Sequence, residues 1–172
     1  MRKLIPFLIC TVIATCSTLY AQSRQVPLSD DDTEQLREFA DRPPERIKLY
    51  LKFIDERITS IKSLVAITRG VPEDRPAQIH NLMDEFTRLV DELQDNLDGY
   101  ADHHDDIRKA LSRVLEADAE WQNALNSLPP NPKYDFMRKT AIDAAAGMQD
   151  DSKKMLSEQE QYFKDIKKRK TE

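Results

Sequence analysis

Large apolar side chains recur at every seventh position along a long central segment of the chain. No proline interrupts this segment between Gln78 and Pro129. A seven-residue apolar repeat lies close to two turns of an α-helix and keeps one seam of that helix facing a partner. The pattern predicts one continuous central helix of about fifty residues. The series has no polar member and comprises Ile79, Phe86, Leu93, Tyr100, Ile107, Val114, Trp121 and Leu128.

A second apolar seam precedes the central segment. Its members alternate at spacings of four and three residues, which is typical of a helix packed against others and predicts a helix from about Pro44 to Arg69. Gly70 and Pro72 end this helix, since glycine and proline are strong stop signals. The seam comprises Ile47, Leu51, Ile54, Ile58, Ile61 and Val65.

Two further helices complete the predicted fold. A short one is capped by Ser29 or Asp30, and a long one follows Asn131-Pro132 with an inner face from Tyr134 to Ile166. The connections between the long helices are short, so they should be antiparallel neighbours. We therefore expect an all-α fold, an antiparallel bundle of three long helices with a short N-terminal helix.

Gly99 offers an alternative within the central segment. A break there would divide the long helix in two and convert the fold into an up-down four-helix bundle. The apolar seam passes from Leu93 through Tyr100 to Ile107 without losing phase. Because a lone interior glycine costs only about 1 kcal/mol in a helix, we predict the continuous helix.

The first residues predict export. Arg2 and Lys3 precede an apolar stretch from Leu4 to Ala14, and small and polar residues follow as far as Ala21. This is the layout of a secretory signal peptide, and its apolar part is shorter than the roughly 20 residues of a membrane-spanning helix. We expect cleavage after Ala21 and a bacterial periplasmic or extracellular protein. Residues 22–42 then form a lead with the short helix, and residues 43–172 form one helical domain.

Two other fates of the leader stay open. It can persist as an uncleaved membrane anchor, or the chain can be lipidated at Cys16. The tetrapeptide from Ile13 to Cys16 resembles a bacterial lipobox, although Thr15 stands where glycine, alanine or serine is usual. Cys10 and Cys16 are the two cysteines of the chain, so a chain cleaved after Ala21 has no thiol nucleophile and no thiolate metal site.

Charge is distributed unevenly among the predicted helices. Glu73 to Leu128 carries a net charge of −9, whereas the helices on either side are mildly basic. Within this acidic segment, aspartates recur at spacings of four and three and should share one helix face. We name this set the acidic stripe and treat it as a candidate partner-binding surface, with a simple solvated face as the alternative. It comprises Asp91, Asp95, Asp98, Asp102 and Asp105.

A cluster of histidine and aspartate is the strongest candidate for chemistry. His103 and His104 with Asp102 and Asp106 are suitable ligands for Zn²⁺, Ni²⁺ or Cu²⁺. On a continuous helix, Asp106 shares a face with Asp102 or with His103, so one helix offers two ligands and a site needs others. A solvated polar stretch is the simpler explanation of the cluster, and we expect no cofactor.

No catalytic motif is present: there is no G-x-S-x-G elbow, no H-E-x-x-H helix and no glycine-rich phosphate loop. The sequence favours a non-enzymatic helical protein that binds an envelope protein or a second copy of itself. The alternatives are a helical bundle that binds a small ligand or metal and a periplasmic chaperone-like stress protein. Export and the net charge of −5 argue against nucleic acid as a partner.

Overall fold

A computed structural model describes residues 28–170 of the protein. These residues form helices and connecting turns, with no strand in that range, so the predicted all-helical class is confirmed. The predicted leader, the cleavage position after Ala21 and the alternative lipidation site at Cys16 lie outside the described residues. The helices are α1 (Asp30–Glu38), α2 (Pro43–Ala66), α3 (Arg75–Asp102), α4 (Arg108–Asn126) and α5 (Asp135–Arg169).

Local signals place the starts of the first two helices. The Ser29 hydroxyl accepts a hydrogen bond from the Asp32 backbone amide at 3.1 Å, and the Asp32 carboxylate accepts one from the Ser29 amide at 3.3 Å. This reciprocal pair satisfies two amides that have no partner within the helix. Pro43 and Pro44 open α2, where a missing amide hydrogen costs nothing. The short N-terminal helix capped by Ser29 is thus confirmed.

The predicted continuous central helix is wrong, because α3 ends at Asp102. The amide of His104 donates to the Ala101 carbonyl and the amide of Asp105 donates to the Tyr100 carbonyl, both at 2.9 Å. This pair of bonds is a Schellman motif, which usually requires glycine at its left-handed position. His104 occupies that position with φ 59°. Gly99, where the alternative placed a break, lies inside α3.

A glutamine from α5 holds the turn between α3 and α4. The Gln159 side-chain amide donates to the Asp105 carbonyl at 2.9 Å, and its oxygen accepts from the Ile107 amide at 3.2 Å. Neither backbone group has a partner in a helix, and Gln159 itself is only 7 % exposed. Since a buried backbone group without a partner is costly, this side chain stabilises the interruption. We name residues 103–107 with Gln159 the clamped turn.

Contacts between α2, α3 and α4 establish the directions of these helices. The Tyr50 hydroxyl bonds to Glu92 and the Arg57 guanidinium to Glu85, so α2 and α3 are antiparallel. At the start of α2, Lys48 shares a cavity with Lys109. Further along, the Asp55 carboxylate accepts from the Trp121 indole, so α2 and α4 run the same way. The chain therefore reverses direction at the clamped turn.

The last helix packs antiparallel to α4. Arg138 donates to the Leu128 carbonyl at one end of the pair, and Gln159 contacts Ile107 at the other. Extensive contacts join α2 with α3 and α4, and α5 with α3 and α4. Helices α3 and α4 therefore lie at opposite corners of a bundle of four long helices. This differs from the predicted three-helix arrangement because one predicted helix has become two.

The apolar seam is buried on both sides of the break. Its member Trp121 is 1 % exposed, with its ring edge-on to Phe86 at a centroid distance of 5.7 Å. Its indole NH donates to the Asp55 carboxylate at 2.6 Å. The predicted core role of Trp121 is confirmed. The seven-residue spacing continues across the break because α3 and α4 both bury their members of the seam in one shared core, although the two helices run in opposite directions.

We predict that Gln159→Leu lowers the free energy of unfolding by about 2–4 kcal/mol, because it leaves two backbone groups of the clamped turn without partners. Denaturant titration followed by circular dichroism measures this loss. Gln161→Leu is the control, since the Gln161 amide bonds to Asp165 on an exposed surface, and it should change stability by less than about 0.5 kcal/mol. Equal losses in the two variants would contradict a specific role for the turn.

Candidate partner-binding groove

Most of the acidic stripe lies on one helix. Asp91, Asp95, Asp98 and Asp102 belong to α3 and are exposed. Asp105 lies beyond the end of that helix, in the clamped turn, where its backbone carbonyl accepts from Gln159. The predicted stripe is therefore present over four residues and does not continue by helical spacing to the fifth.

The C-terminal half of α3 and the middle of α5 enclose a groove with a volume of about 400 Å³. Carboxylates line it from both sides: Asp98 and Asp102 come from α3, and Asp151 and Glu158 come from α5. Lys154 is the one cationic side chain in this lining. Four carboxylates facing one ammonium group leave the groove with a strong negative potential.

The floor and one end of the groove are apolar. Ala101 and the buried Met155 form the floor, and the depression continues toward the clamped turn with a further volume of about 290 Å³. There the His104 imidazole stacks on the Tyr162 ring, with centroids 4.5 Å apart and planes inclined by 22°. Phe163 meets Tyr162 edge-on at 5.2 Å. We name this whole depression, with its acidic sides and aromatic end, the α3–α5 groove.

An ion pair between Asp106 of the clamped turn and Arg108, the first residue of α4, lies at the end of the turn. The Arg108 guanidinium donates to both oxygens of Asp106, at 2.8 and 2.7 Å, and stacks over the Phe163 ring at 4.6 Å. Hydrogen bonding from Arg108 holds the pKa of Asp106 below its usual range. Asp106 thus has a cationic partner in its own chain. The predicted helical pairing of Asp106 with Asp102 or His103 is wrong, because the helix has already ended.

The described residues do not bring together the ligands that the metal hypothesis requires. Within residues 28–170, no group of three or more histidine, cysteine, aspartate or glutamate side chains is placed to hold a metal ion. His103 and His104 lie exposed in the turn that follows α3. A metal bound there would need ligands that these residues do not supply, and the hypothesis stays untested.

A second cavity lies between α2, α4 and α5, and the net charge of its lining is positive. It has a volume of about 680 Å³ and an apolar floor that includes Ile47 and Leu51. Around it stand two carboxylates, Asp106 and Glu160, and four cations, Lys48, Arg108, Lys109 and Arg113. Sequence reasoning missed this cavity because its cations come from helices that are far apart in the chain.

The α5 half of the groove was also missed. Asp151 and Glu158 are seven residues apart, and Tyr162 follows four residues later, so the three share one side of α5. This spacing was the one signal in the sequence that pointed to the α5 half of the groove. It could not show that these residues face Asp98 and Asp102, because the pairing of α5 with α3 depends on the reversal at the clamped turn.

Comparison with known proteins adds no relative to this description: no protein-family model, curated protein or solved structure matches the chain. Among residues 28–170, no helix has both the length and the apolar character needed to cross a membrane. The function must therefore be argued from the surfaces described above.

The most perturbed carboxyl group lies away from the groove. Asp118 of α4 is fully buried, and one of its oxygens accepts from the Gln122 amide at 2.6 Å. Burial raises the pKa of Asp118 to about 6, although the charge of Lys153 and hydrogen bonding from Gln122 and Gln149 act against this. The fully buried Ser152 hydroxyl of α5 lacks a partner.

We predict that Asp118 makes stability depend on pH. Because its folded pKa lies above its ordinary value of 3.8, the folded state binds the proton more tightly, and the free energy of unfolding falls as pH rises from about 4 to 6. Asp118→Asn removes this dependence and should be more stable than the wild type above pH 6 by about 2–3 kcal/mol. Urea unfolding at several pH values measures both effects.

The control for this prediction is Asp143→Asn, which changes an exposed carboxyl group of α5. It should alter stability by less than about 0.5 kcal/mol at every pH. If the wild type and Asp118→Asn show the same pH dependence between about pH 4 and 6, the buried carboxyl is not responsible.

Proposed function

We propose that the protein is an exported, non-enzymatic helical protein that binds a basic segment of a partner in the cell envelope. The α3–α5 groove is the proposed binding surface. The observation that carries this proposal is the presence of four carboxylates around a single lysine in one groove. Such a concentration of like charge is relieved when a cationic partner enters, and it also steers that partner toward the surface.

The remaining lining suits lysine or arginine side chains. Their aliphatic stems can pack on Met155 and Ala101 at the floor while the charged heads reach the carboxylates. The stacked rings of His104 and Tyr162 at the end of the groove offer an aromatic surface to a further cation. A basic peptide segment satisfies the acidic sides and the apolar floor together.

The exposure of the polar groups supports recognition rather than catalysis. Asp98, Asp102 and Glu158 are exposed, as are both histidines of the turn. Carboxylates and histidines that act on a substrate are usually placed where water is excluded. A surface that binds a partner needs no such shielding, so these side chains fit a binding role.

We predict that Asp95→Lys, Asp98→Lys and Asp102→Lys, made together, lower partner recovery at least about tenfold in cross-linking on intact cell envelopes. The reversal places two cations in the lining of the groove, at Asp98 and Asp102, and a third at Asp95, one turn earlier on the same face of α3. Helicity should be unchanged, because all three residues are exposed on α3.

A matched control carries the same change of charge elsewhere. Glu116, Glu120 and Asp143 are exposed on α4 and α5, away from the groove, and their combined change to lysine should leave recovery within about twofold of the wild type. Equal losses from the two triple variants would mean that net charge, not the groove, controls binding. Unchanged recovery in both would remove the groove from the interaction.

A small anionic ligand is the second candidate, favoured by the cavity that Lys48, Lys109 and Arg113 surround. Native mass spectrometry of the protein, purified gently from its own envelope, tests it. A retained anionic molecule that is lost from Lys109→Glu would support ligand binding. Protein that carries no bound molecule would leave the interaction surface as the function.

A further inference from the structure

The C-terminal end of α5 continues past the clamped turn. Gln159 bonds to that turn and Tyr162 stacks on His104, so α5 passes the end of α3 at this level. The helix continues to Arg169, and Ile166 is the one half-buried residue in the range 164–170. At a rise of about 1.5 Å per residue, this segment extends about 10 Å. We name residues 164–170 the basic end.

The basic end is complementary in charge to the groove that precedes it on the same helix. It carries five cationic residues, Lys164, Lys167, Lys168, Arg169 and Lys170, and one acidic residue, Asp165. At helical spacing, Lys168 and Arg169 lie on the side of α5 that carries Glu158, with Asp165 between them.

The aromatic end of the groove, together with Ile166, forms an apolar patch next to the basic end. Tyr162, Phe163 and Ile166 are half-buried, and none of them belongs to the apolar core or packs against it. This patch, which sits between surfaces of opposite charge, matches the usual arrangement of an interface, with an apolar centre and a charged rim.

We infer that a second copy of this chain binds the α3–α5 groove, with its basic end in the groove and the two α5 helices antiparallel about a two-fold axis near Tyr162. This inference rests on the proposed function, because it names the source of the basic segment. A two-fold interface needs one surface that is complementary to itself. Helix α5 provides it, since the acidic groove and the basic end lie on either side of the aromatic patch.

The register of this dimer follows from its symmetry. With the axis at Tyr162, residues 164–170 of one copy lie alongside residues 154–160 of the other. The basic end then faces Glu158, with Lys154 at the far limit of the overlap, and the α3 carboxylates Asp98 and Asp102 border the same groove. The aromatic patches of the two copies meet at the axis. Because the two-fold axis relates them, the two contacts between a basic end and a groove are equivalent and form together.

Charge reversal on either side tests this arrangement in the purified full chain. One variant reverses the basic end, with Lys164→Glu, Lys168→Glu and Arg169→Glu. The other reverses the groove, with Asp98→Lys, Asp102→Lys and Glu158→Lys. We expect the wild type to form a dimer at low salt that weakens as salt rises, and each variant alone to dimerise at least about tenfold more weakly by sedimentation velocity.

Mixing the two variants is the decisive measurement. The acidic end of one then meets the basic groove of the other, and the reverse contact forms as well, so a heterodimer should appear with an affinity within about threefold of the wild-type dimer. The control mixture replaces the groove variant with Glu116→Lys, Glu120→Lys and Asp143→Lys, which has the same net charge. That mixture keeps one attractive groove–end contact and makes the other repulsive, so its heterodimer should be at least about tenfold weaker than the wild-type dimer.

Two results would overturn the inference. A wild-type chain that stays monomeric at every concentration and salt would exclude the second copy. If the α3 reversal still abolishes recovery in envelopes, the basic segment belongs to another protein and the proposed function stands. A heterodimer that forms equally with the control variant would show that net charge drives association and that the groove does not.

Discussion

The side-chain amide of Gln159 is the contact on which the arrangement of this protein depends. It pairs with the Asp105 carbonyl and the Ile107 amide, two backbone groups that any interruption of a helix leaves without partners. With those groups satisfied, α3 can end at Asp102 although no glycine or proline stands there. His104 accepts a left-handed conformation at that point, and its ring recovers part of the cost by stacking on Tyr162.

The reversal at this turn also separates the charges. In an unbroken central helix, the acidic stripe and the cations Lys109 and Arg113 would lie on the same helix. Instead, α3 and α4 lie at opposite corners of the bundle, so the carboxylates border a groove with α5 and the cations border a cavity with α2. The bundle thus has an acidic groove and a separate cavity whose lining carries a net positive charge.

The candidate groove was half predictable. The spacing of Asp91, Asp95, Asp98 and Asp102 places them on one helix face, and the structure agrees. Asp105 and Asp106 were assigned to the same helix, and the same early helix end removes both from it. Asp151, Glu158 and Tyr162 could not be assigned to the groove, because their contact with α3 is tertiary and the repeat carries no information about which helices become neighbours.

The sequence by itself determined the helical class, the buried seam with Trp121, and the helix boundaries marked by Ser29 and the proline pairs. These features depend on interactions within a few residues along the chain, which periodicity and capping rules describe well. Only the tertiary structure decided where the central helix breaks, how α5 meets α3, and which charges share a groove. The reason is physical: Gln159 lies 52 residues from Ile107 in the chain, and a hydrogen bond across that separation leaves no local pattern.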